Sequence, residues 1–331
     1  MGITSYLAEA IIREHKYKRI HGDVLLLGRQ TMRFSPREAV TLIRGYGLAP
    51  DPIPLDETVL DRKTLGSQGH EFIRDDAFFR LLGVNTVRAI DHSDYEGAEI
   101  IHNLNEPISD GLEATADFIL DGSTLDNLFV PATAIKSMAR MLRPGGRLIA
   151  INLGSTLTGR PYSICSPYWF LDYFAINQFK DCRVYVIIYG WQHTRVLAVD
   201  PSSKSNITLP IRLFSNIFVF AEKDNSSTWD RIPDQREYAG RQAHEAYSAA
   251  AYRFETSDRP QLVVSSSNHF TPPLLSRVID HAINTLQMAE ISSMFFKLIG
   301  TDGQSHEITM RWRFRILGRL RRWIKMSLHR V

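Results

Sequence analysis

Cysteine is almost missing from this 331-residue chain, whose only two are Cys165 and Cys182. Two thiols cannot build a disulfide framework or a cysteine-rich zinc site, so the composition fits a reducing, cytoplasmic setting, with a single Cys165–Cys182 pairing left open. No stretch of 18 or more apolar residues occurs, and no bilayer-spanning helix is expected. The first twenty residues lack the continuous apolar core and small-residue cleavage site of a secretory signal, so none is expected either. Absent too are the GxSxG elbow, the P-loop and the GxGxxG turn, which argues in turn against hydrolase, kinase and dehydrogenase chemistry. The eleven histidines are scattered, without paired spacing to cysteine or carboxylate, and no metal site is expected. No internal repeat is visible.

What remains is ordinary for a globular protein, 44% hydrophobic and 23% charged, and long enough for one full-sized α/β domain plus an extension. The net charge of +3 is unevenly spread. The C-terminal segment MRWRFRILGRLRRWIKMSLHRV carries seven arginines and one lysine without an acid, which leaves the rest of the chain net negative. On a helix, Phe314, Leu317, Leu320, Ile324 and Leu328 form an apolar stripe beside a basic face, flanked by Trp312 and Trp323. Such a segment suits an anionic membrane surface, at about 1 kcal/mol per basic side chain near the headgroups. The pattern equally suits a terminal helix packed on the protein with its arginines in solvent. A nucleic-acid partner is disfavoured, because no recognised binding motif accompanies the patch. The expected location is cytoplasmic, with peripheral attachment at the inner membrane surface as the variant the tail would add. Nothing in the sequence speaks to oligomeric state.

Along the chain, residues 3–19 pattern as a helix, read as a lid or an entry helix. The apolar run 24–28 reads as a central parallel strand. Ser35 and Pro36 then open a helix that runs to about residue 46. Three prolines and many polar residues make 49–65 a loop. A helix over 75–82, stopped by Gly83, leads into strands at 86–90 and 97–102. After a strand at 147–153 come a helix near 167–177 and two apolar strands, 183–189 and 216–222, separated by a long insertion. From residue 225 the composition turns polar and alanine-rich, so the boundary is placed there. Residues 1–224, with the N-terminal helix within 1–21, form the first domain, and 225–331 form a mostly helical extension. Its helical pieces are predicted at 236–252, 272–298 and 309–328, with the basic amphipathic tail at 309–331.

The most informative stretch is ADFILDGSTLDNLFVPATAIKSMARMLRPGGRLIAINL, residues 116–153. It reads as a buried strand ending in Asp121, a polar loop, a helix stopped by Pro144, two glycines that turn the chain, and a second strand. This pattern resembles the second half of class I S-adenosylmethionine-dependent methyltransferases, with Asp121 ending the fourth strand and 147–153 forming the fifth. Residues 89–108, AIDHSDYEGAEIIHNLNEPI, are similar to the second and third strands of a bacterial branch of that family. The resemblance covers roughly 22–222. It implies a Rossmann-like, doubly wound, mainly parallel seven-stranded sheet with helices on both faces, whose last two strands pair antiparallel at the edge. It also implies S-adenosylmethionine as cofactor and methyl transfer to a small-molecule or glycan-type acceptor.

The same resemblance assigns site residues. Gly28 matches the first glycine of the cofactor turn, whereas Gln30 and Met32 stand where the next two glycines would be and Leu26 stands in place of the acid. Binding through Gln30 and backbone amides is one outcome of this departure. A binding or scaffold protein that keeps the fold without catalysis, attached through its basic tail, is the other. Asp91 matches the acid that accepts hydrogen bonds from both ribose hydroxyls, with a turn Asp as the plainer alternative. Asn103 or Asn105 falls where the family places a polar residue against the adenine, or serves only as a turn amide. Asp121, Ser123, Thr124, Asp126 and Asn127 form the loop beside the transferring methyl group, where Asp121 or Asp126 would act as a base or else cap a helix. Tyr162, Ser166, Pro167, Tyr168 and Trp169 follow the fifth strand, where they stack on the acceptor or belong to the core.

Overall fold

The computed structural model describes residues 2–154, 161–189, 194–202 and 214–262, all within one compact unit, Met1–Ser266. Its strands are β1 (Asp23–Leu27), β2 (Thr86–Asp91), β3 (Ile100–Ile101), β4 (Ala116–Asp121), β5 (Leu142–Leu153), β6 (Asp181–Tyr189), β7 (Thr194–Ala198) and β8 (Phe214–Glu222). They form one sheet in the order β3-β2-β1-β4-β5-β8-β6-β7. Every pairing from β3 through β5 is parallel, while β8 runs antiparallel to both β5 and β6. Beyond the seven expected strands, the insertion between the last two long strands contributes β7, which pairs antiparallel with β6 and forms the outer edge.

Side chains alternate along the central strands, so each strand feeds two cores. Leu25, Leu27, Ile119, Leu148 and Ala150 pack beneath α4 (Pro131–Met141), α5 (Pro167–Ile176) and α6 (Arg241–Glu255). Val24, Leu26, Phe118, Leu120 and Ile149 pack against α1 (Ser5–Tyr17), α2 (Pro36–Gly45) and α3 (Asp75–Leu81) on the other face. The architecture is therefore a doubly wound, Rossmann-like α/β sheet. Chain direction is controlled by local chemistry: Ser35 and Glu38 form a reciprocal capping box before Pro36, and Ser166 Oγ accepts from Trp169 N at 3.2 Å to open α5.

Four expectations change in detail. The N-terminal helix is not a lid: α1 buries Leu7, Ala8, Ala10, Ile11 and Ile12 in the core. The Arg143-Pro144-Gly145-Gly146 segment does not form a loop between helix and strand. β5 starts at Leu142, directly after α4, and absorbs those residues as an irregularity in its register with β4. β3 is only two residues long, because the Glu99 carboxylate takes the Ala89 N–H at 2.7 Å, where a longer ladder would need a backbone carbonyl. The domain boundary at 224/225 also moves. Tyr247, Ala250 and Phe254 of α6 join the same core as α4 and α5, so residues through 262 belong to the first unit. The helices expected at 272–298 and 309–328, and the basic tail, lie outside the described residues.

Burial of α6 makes it structural. Phe254→Ala removes a fully buried ring and should lower unfolding free energy by about 3–5 kcal/mol, read by urea denaturation. A change near zero would return 225–262 to the status of a separate extension.

Candidate functional site

In a doubly wound sheet the crevice for ligands opens at the carboxyl ends of the strands, where the strand order reverses. Here that point lies between β1 and β4, whose last residues, Leu27 and Asp121, are register neighbours. β1 passes directly into Gly28, at φ +71°, a conformation that disfavours any side chain. Its N–H donates to Ile90 O at 2.8 Å. Asp91 ends β2 beside this turn: a Cβ added to Gly28 would sit 3.2 Å from Asp91 Oδ2 and 3.8 Å from Thr124 Oγ1. The other carboxylate oxygen, Oδ1, accepts from His92 N at 2.6 Å and contacts His92 Nδ1 at 2.7 Å. Gly28, Asp91 and the loop after β4 are thus brought together, as the sequence implies.

Gln30 is buried and folds back over β1. Its Nε2 donates to Leu27 O at 3.0 Å and Gly28 O at 3.2 Å. Its Oε1 is buried without a hydrogen-bond partner and lies where a Cβ on Gly122 would collide with it. The glycine at 122 is therefore the space into which Gln30 fits. Beneath it, the Gln30 N–H donates to Asp75 Oδ2 at 2.9 Å, and Asp75 pairs with Arg29 at 3.1 Å. Burial pushes the Asp75 carboxyl up to about 6, against the opposing pull of Arg29.

The loop after β4 is organised by two inward-facing carboxylates. Asp121 Oδ1 accepts from Thr124 N at 2.7 Å and Oδ2 accepts from Asn152 Nδ2 at 2.8 Å. Asp126 Oδ2 accepts from Ser123 Oγ at 2.5 Å and Leu153 N at 3.0 Å, while Oδ1 accepts from Asn127 Nδ2 at 3.0 Å. Between them Ser123 is held at φ +79°, a strained value for a residue with a side chain. Thr124 Oγ1 donates to Leu27 O at 2.6 Å and ties this loop to β1. Burial pushes Asp121 up to about 7 and also raises Asp126. Cys165 lies close enough to feel both charges. Burial, reinforced by them, lifts its thiol to about 12, so it is no nucleophile.

The asparagines at the end of β3 are spent locally. Asn103 Oδ1 accepts from Asn105 N and Nδ2, both at 3.1 Å, and Asn103 Nδ2 donates to Glu106 Oε1 at 3.1 Å. Asn105 Oδ1 accepts from Val130 N at 2.8 Å. This is the turn role. No group of histidine, cysteine and carboxylate suited to a metal occurs among the described residues. Two participants escape sequence reading. Asn152, a polar residue near the end of an otherwise apolar strand, orients Asp121 and leaves its own Oδ1 buried without a partner. Asp75 reads only as a helix-start acid, although it holds the cofactor-type turn from below.

A cavity of about 1110 Å³ lies away from this crevice. It lies between α5 and α6, with Tyr168, Trp169, Tyr247 and Tyr252 in its wall. The segment leading to it is anchored at the crevice, where Tyr162 N and Ser163 N donate to Asp126 O at 2.8 and 3.2 Å. Three residues further on, Ser166 begins the cavity wall, a chain reach of roughly 10 Å.

No protein-family model and no curated protein sequence matches the chain. Among solved structures, it is similar to 1,6-didemethyltoxoflavin-N1-methyltransferase from Burkholderia thailandensis, solved with 1,6-didemethyltoxoflavin and S-adenosylhomocysteine. That match has 14% identity over 66% of this chain and 77% of that one, with a TM-score of 0.31. A geranyl diphosphate methyltransferase in complex with SAM matches at 13% identity over 66% and 85% of the two chains, TM-score 0.31. A probable spermidine synthase from Corynebacterium glutamicum matches at 11% identity over 81% and 82%, TM-score 0.31. Likeness at this level carries no conclusion about chemistry.

The raised carboxyls make a pH signature. A carboxyl with a raised folded-state value stabilises the fold fully below its unfolded value near pH 4, and that contribution is lost as pH rises through the folded value, for Asp121 about 7. Unfolding free energy should therefore fall between about pH 4 and 7. Asp121→Asn should flatten the part of that fall owed to this group, leaving the part owed to Asp75 and Asp126. Urea unfolding of both proteins across pH 4–8 checks it, and identical slopes would place the raised carboxyl elsewhere.

Proposed function

We propose that the chain is an S-adenosylmethionine-dependent methyltransferase acting on a small-molecule or glycan-type acceptor. The observation that carries this reading is Asp91 Oδ2, set against the Gly28 turn at the strand-order reversal. That oxygen is an acceptor for a ribose hydroxyl beside the turn, and the glycine lets the ligand approach the backbone. The residues fit the cofactor in a second respect. Among the described residues, Gln30 Oε1 and Asn152 Oδ1 are buried acceptors without partners at the same edge, and buried acceptors of this kind call for a donor such as an ammonium group. When bound, the cofactor supplies a sulfonium-activated methyl group and a neutral leaving group, so the protein's task is mainly positioning.

In that reading Gly28, Gln30 and Asp91 hold the cofactor. Asp121 and Asp126, both buried and hydrogen-bonded inward, act as positioning residues that fix Ser123 and Thr124. The Asp121 carboxyl, raised to about 7, also sits in the range where a group can take up a proton at neutral pH. Asn103 serves the neighbouring turn. The aromatic cleft is the candidate acceptor side: Arg236 already lies over the rings of Tyr168 and Tyr247, and Trp169 and the exposed Tyr252 offer stacking surface to a sugar or a planar molecule.

One observation favours the non-catalytic scaffold. The Gln30 side chain doubles back on Leu27 O and Gly28 O and fills the space over Gly122, so the crevice is partly closed by the chain itself. Attachment through the basic residues of 309–331 belongs to that second reading. Deletion of this segment should then abolish sedimentation with anionic liposomes, and unchanged sedimentation would remove the membrane from the account.

Calorimetric titration with S-adenosylmethionine and S-adenosylhomocysteine decides between the two readings. Micromolar binding is expected, weakened roughly 10- to 100-fold in Asp91→Ala, the equivalent of about 1.5–3 kcal/mol for a charged hydrogen bond. Absence of binding in the unaltered protein overturns the methyltransferase reading in favour of the scaffold.

A further inference from the structure

The amino edge of the sheet, opposite the crevice, holds a buried ionic network that methyl transfer does not use. Glu14 on α1 pairs with Arg147 on β5 at 2.5 Å and also with Arg259. Arg259 pairs in turn with Asp181 at the start of β6, and Arg183 Nε lies 3.7 Å from the same carboxylate. Glu222, at the end of β8, takes Lys18 at 2.8 Å and Lys180 at 3.1 Å. Three carboxylates thus face five cations. The exposed Asp258, bonded to Tyr17 at 2.7 Å, adds one acid, and Arg13 and Lys16 add two further cations. Positive charge is in excess.

A cavity of about 430 Å³ opens on this network, within the size range of small-molecule sites. Its walls are flat and apolar, with Tyr46, Tyr185 and Phe220 prominent, and Arg13, Lys16 and Arg259 supply the charge. Glu14 also lines it, but its two oxygens are engaged by Arg147 and Arg259. Arg259 is held rigidly: its side chain is 3% exposed, its guanidinium lies over Tyr17 and Phe220 at 5.1 and 5.8 Å, and Nε and Nη1 are bonded to Asp181 and Glu14. Its remaining nitrogen, Nη2, is buried with no hydrogen-bond partner among the described residues. A buried charged donor left unbonded is costly, and a guanidinium edge is the natural complement of an oxyanion.

We propose that this cavity is a second ligand site, for a small oxyanion carried on a flat apolar body such as an aryl carboxylate or aryl phosphate. The Arg259 guanidinium in its wall is the anchoring cation, Arg13 and Lys16 draw the anion in, and the rings of Tyr46, Tyr185 and Phe220 enclose the apolar part.

Calorimetric titration of the full chain with benzoate, phenyl phosphate and inorganic phosphate tests it. Benzoate or phenyl phosphate should bind one to one, at least tenfold more tightly than inorganic phosphate. Arg13→Ala combined with Lys16→Ala, both outside the buried network, should weaken that binding at least fivefold. Arg259→Lys, which keeps the charge but removes the fork, should abolish it, with thermal unfolding confirming that the variant is folded. If Arg259→Lys fails to fold, the Arg13 and Lys16 variant decides. Equal binding of inorganic phosphate overturns the apolar body, and no binding of any probe, or binding indifferent to the variants, overturns the site.

Discussion

The contact between Glu14 and Arg147 closes the fold. Glu14 belongs to the last turns of α1, and Arg147 stands where β5 enters the central sheet. Arg147 also donates to Lys18 O at 2.6 Å and Arg19 O at 3.0 Å, so one guanidinium holds the chain as it leaves α1 for β1. Arg259 extends the same network to Asp181 and thereby fastens the segment after α6 to the start of β6. Buried pairs of this kind add little over an apolar core when intact, yet removing one partner leaves an uncompensated charge and costs about 3–5 kcal/mol. The network therefore acts less as a source of net stability than as a constraint that admits one arrangement of four segments distant in sequence.

Because that constraint sits at the amino edge, the carboxyl edge is left to loops, where ligand chemistry is commonly placed in this architecture. Among the described residues, the amino edge leaves Arg259 Nη2, Arg183 Nε and Asp181 Oδ1 buried without a hydrogen-bond partner, and the carboxyl edge leaves Gln30 Oε1 and Asn152 Oδ1 so. Unpartnered buried groups are few in folded proteins, and a strained Ser123 lying between two inward carboxylates adds to the sense of a shaped site.

How much of this was legible depends on whether the signal was local. The β4–α4–β5 unit was readable because its apolar periodicity and its terminal Asp121 each act within a few residues, whereas Pro144, expected to stop the helix, lies inside β5. The cap at Ser35 was legible for the same reason, whereas Ser166, which opens α5, was not read as a cap. β3 was overextended because the side chain of Glu99, not a backbone carbonyl, satisfies Ala89, and hydropathy cannot register that exchange. Arg259 was invisible as a core residue, since arginine signals solvent unless its partners are known, and those lie at positions 14 and 181. The site divided in the same way. Gly28 and Asp91 were named through the family resemblance, whereas Asn152 and Asp75 are engaged only through contacts across the sheet and across a loop.

The departure at Gln30 shows what one side chain does to a turn built for glycine. A glycine there would expose Leu27 O and Gly28 O and leave the space over Gly122 open. Gln30 instead spends its amide N–H groups on those two carbonyls and packs its buried oxygen over Gly122. The exchange replaces backbone exposure with a fixed acceptor. It narrows the crevice while adding a recognition element, which is why the same residue supports either a modified cofactor site or a closed one. The balance rests on free energy: a donor on the ligand must recover the desolvation of Gln30 Oε1, of order 1–3 kcal/mol for a buried polar group, before any further contact adds affinity. A ligand bearing an ammonium group meets that requirement through a charge-assisted hydrogen bond, whereas a neutral nucleoside lacking one would meet the crevice as an obstacle.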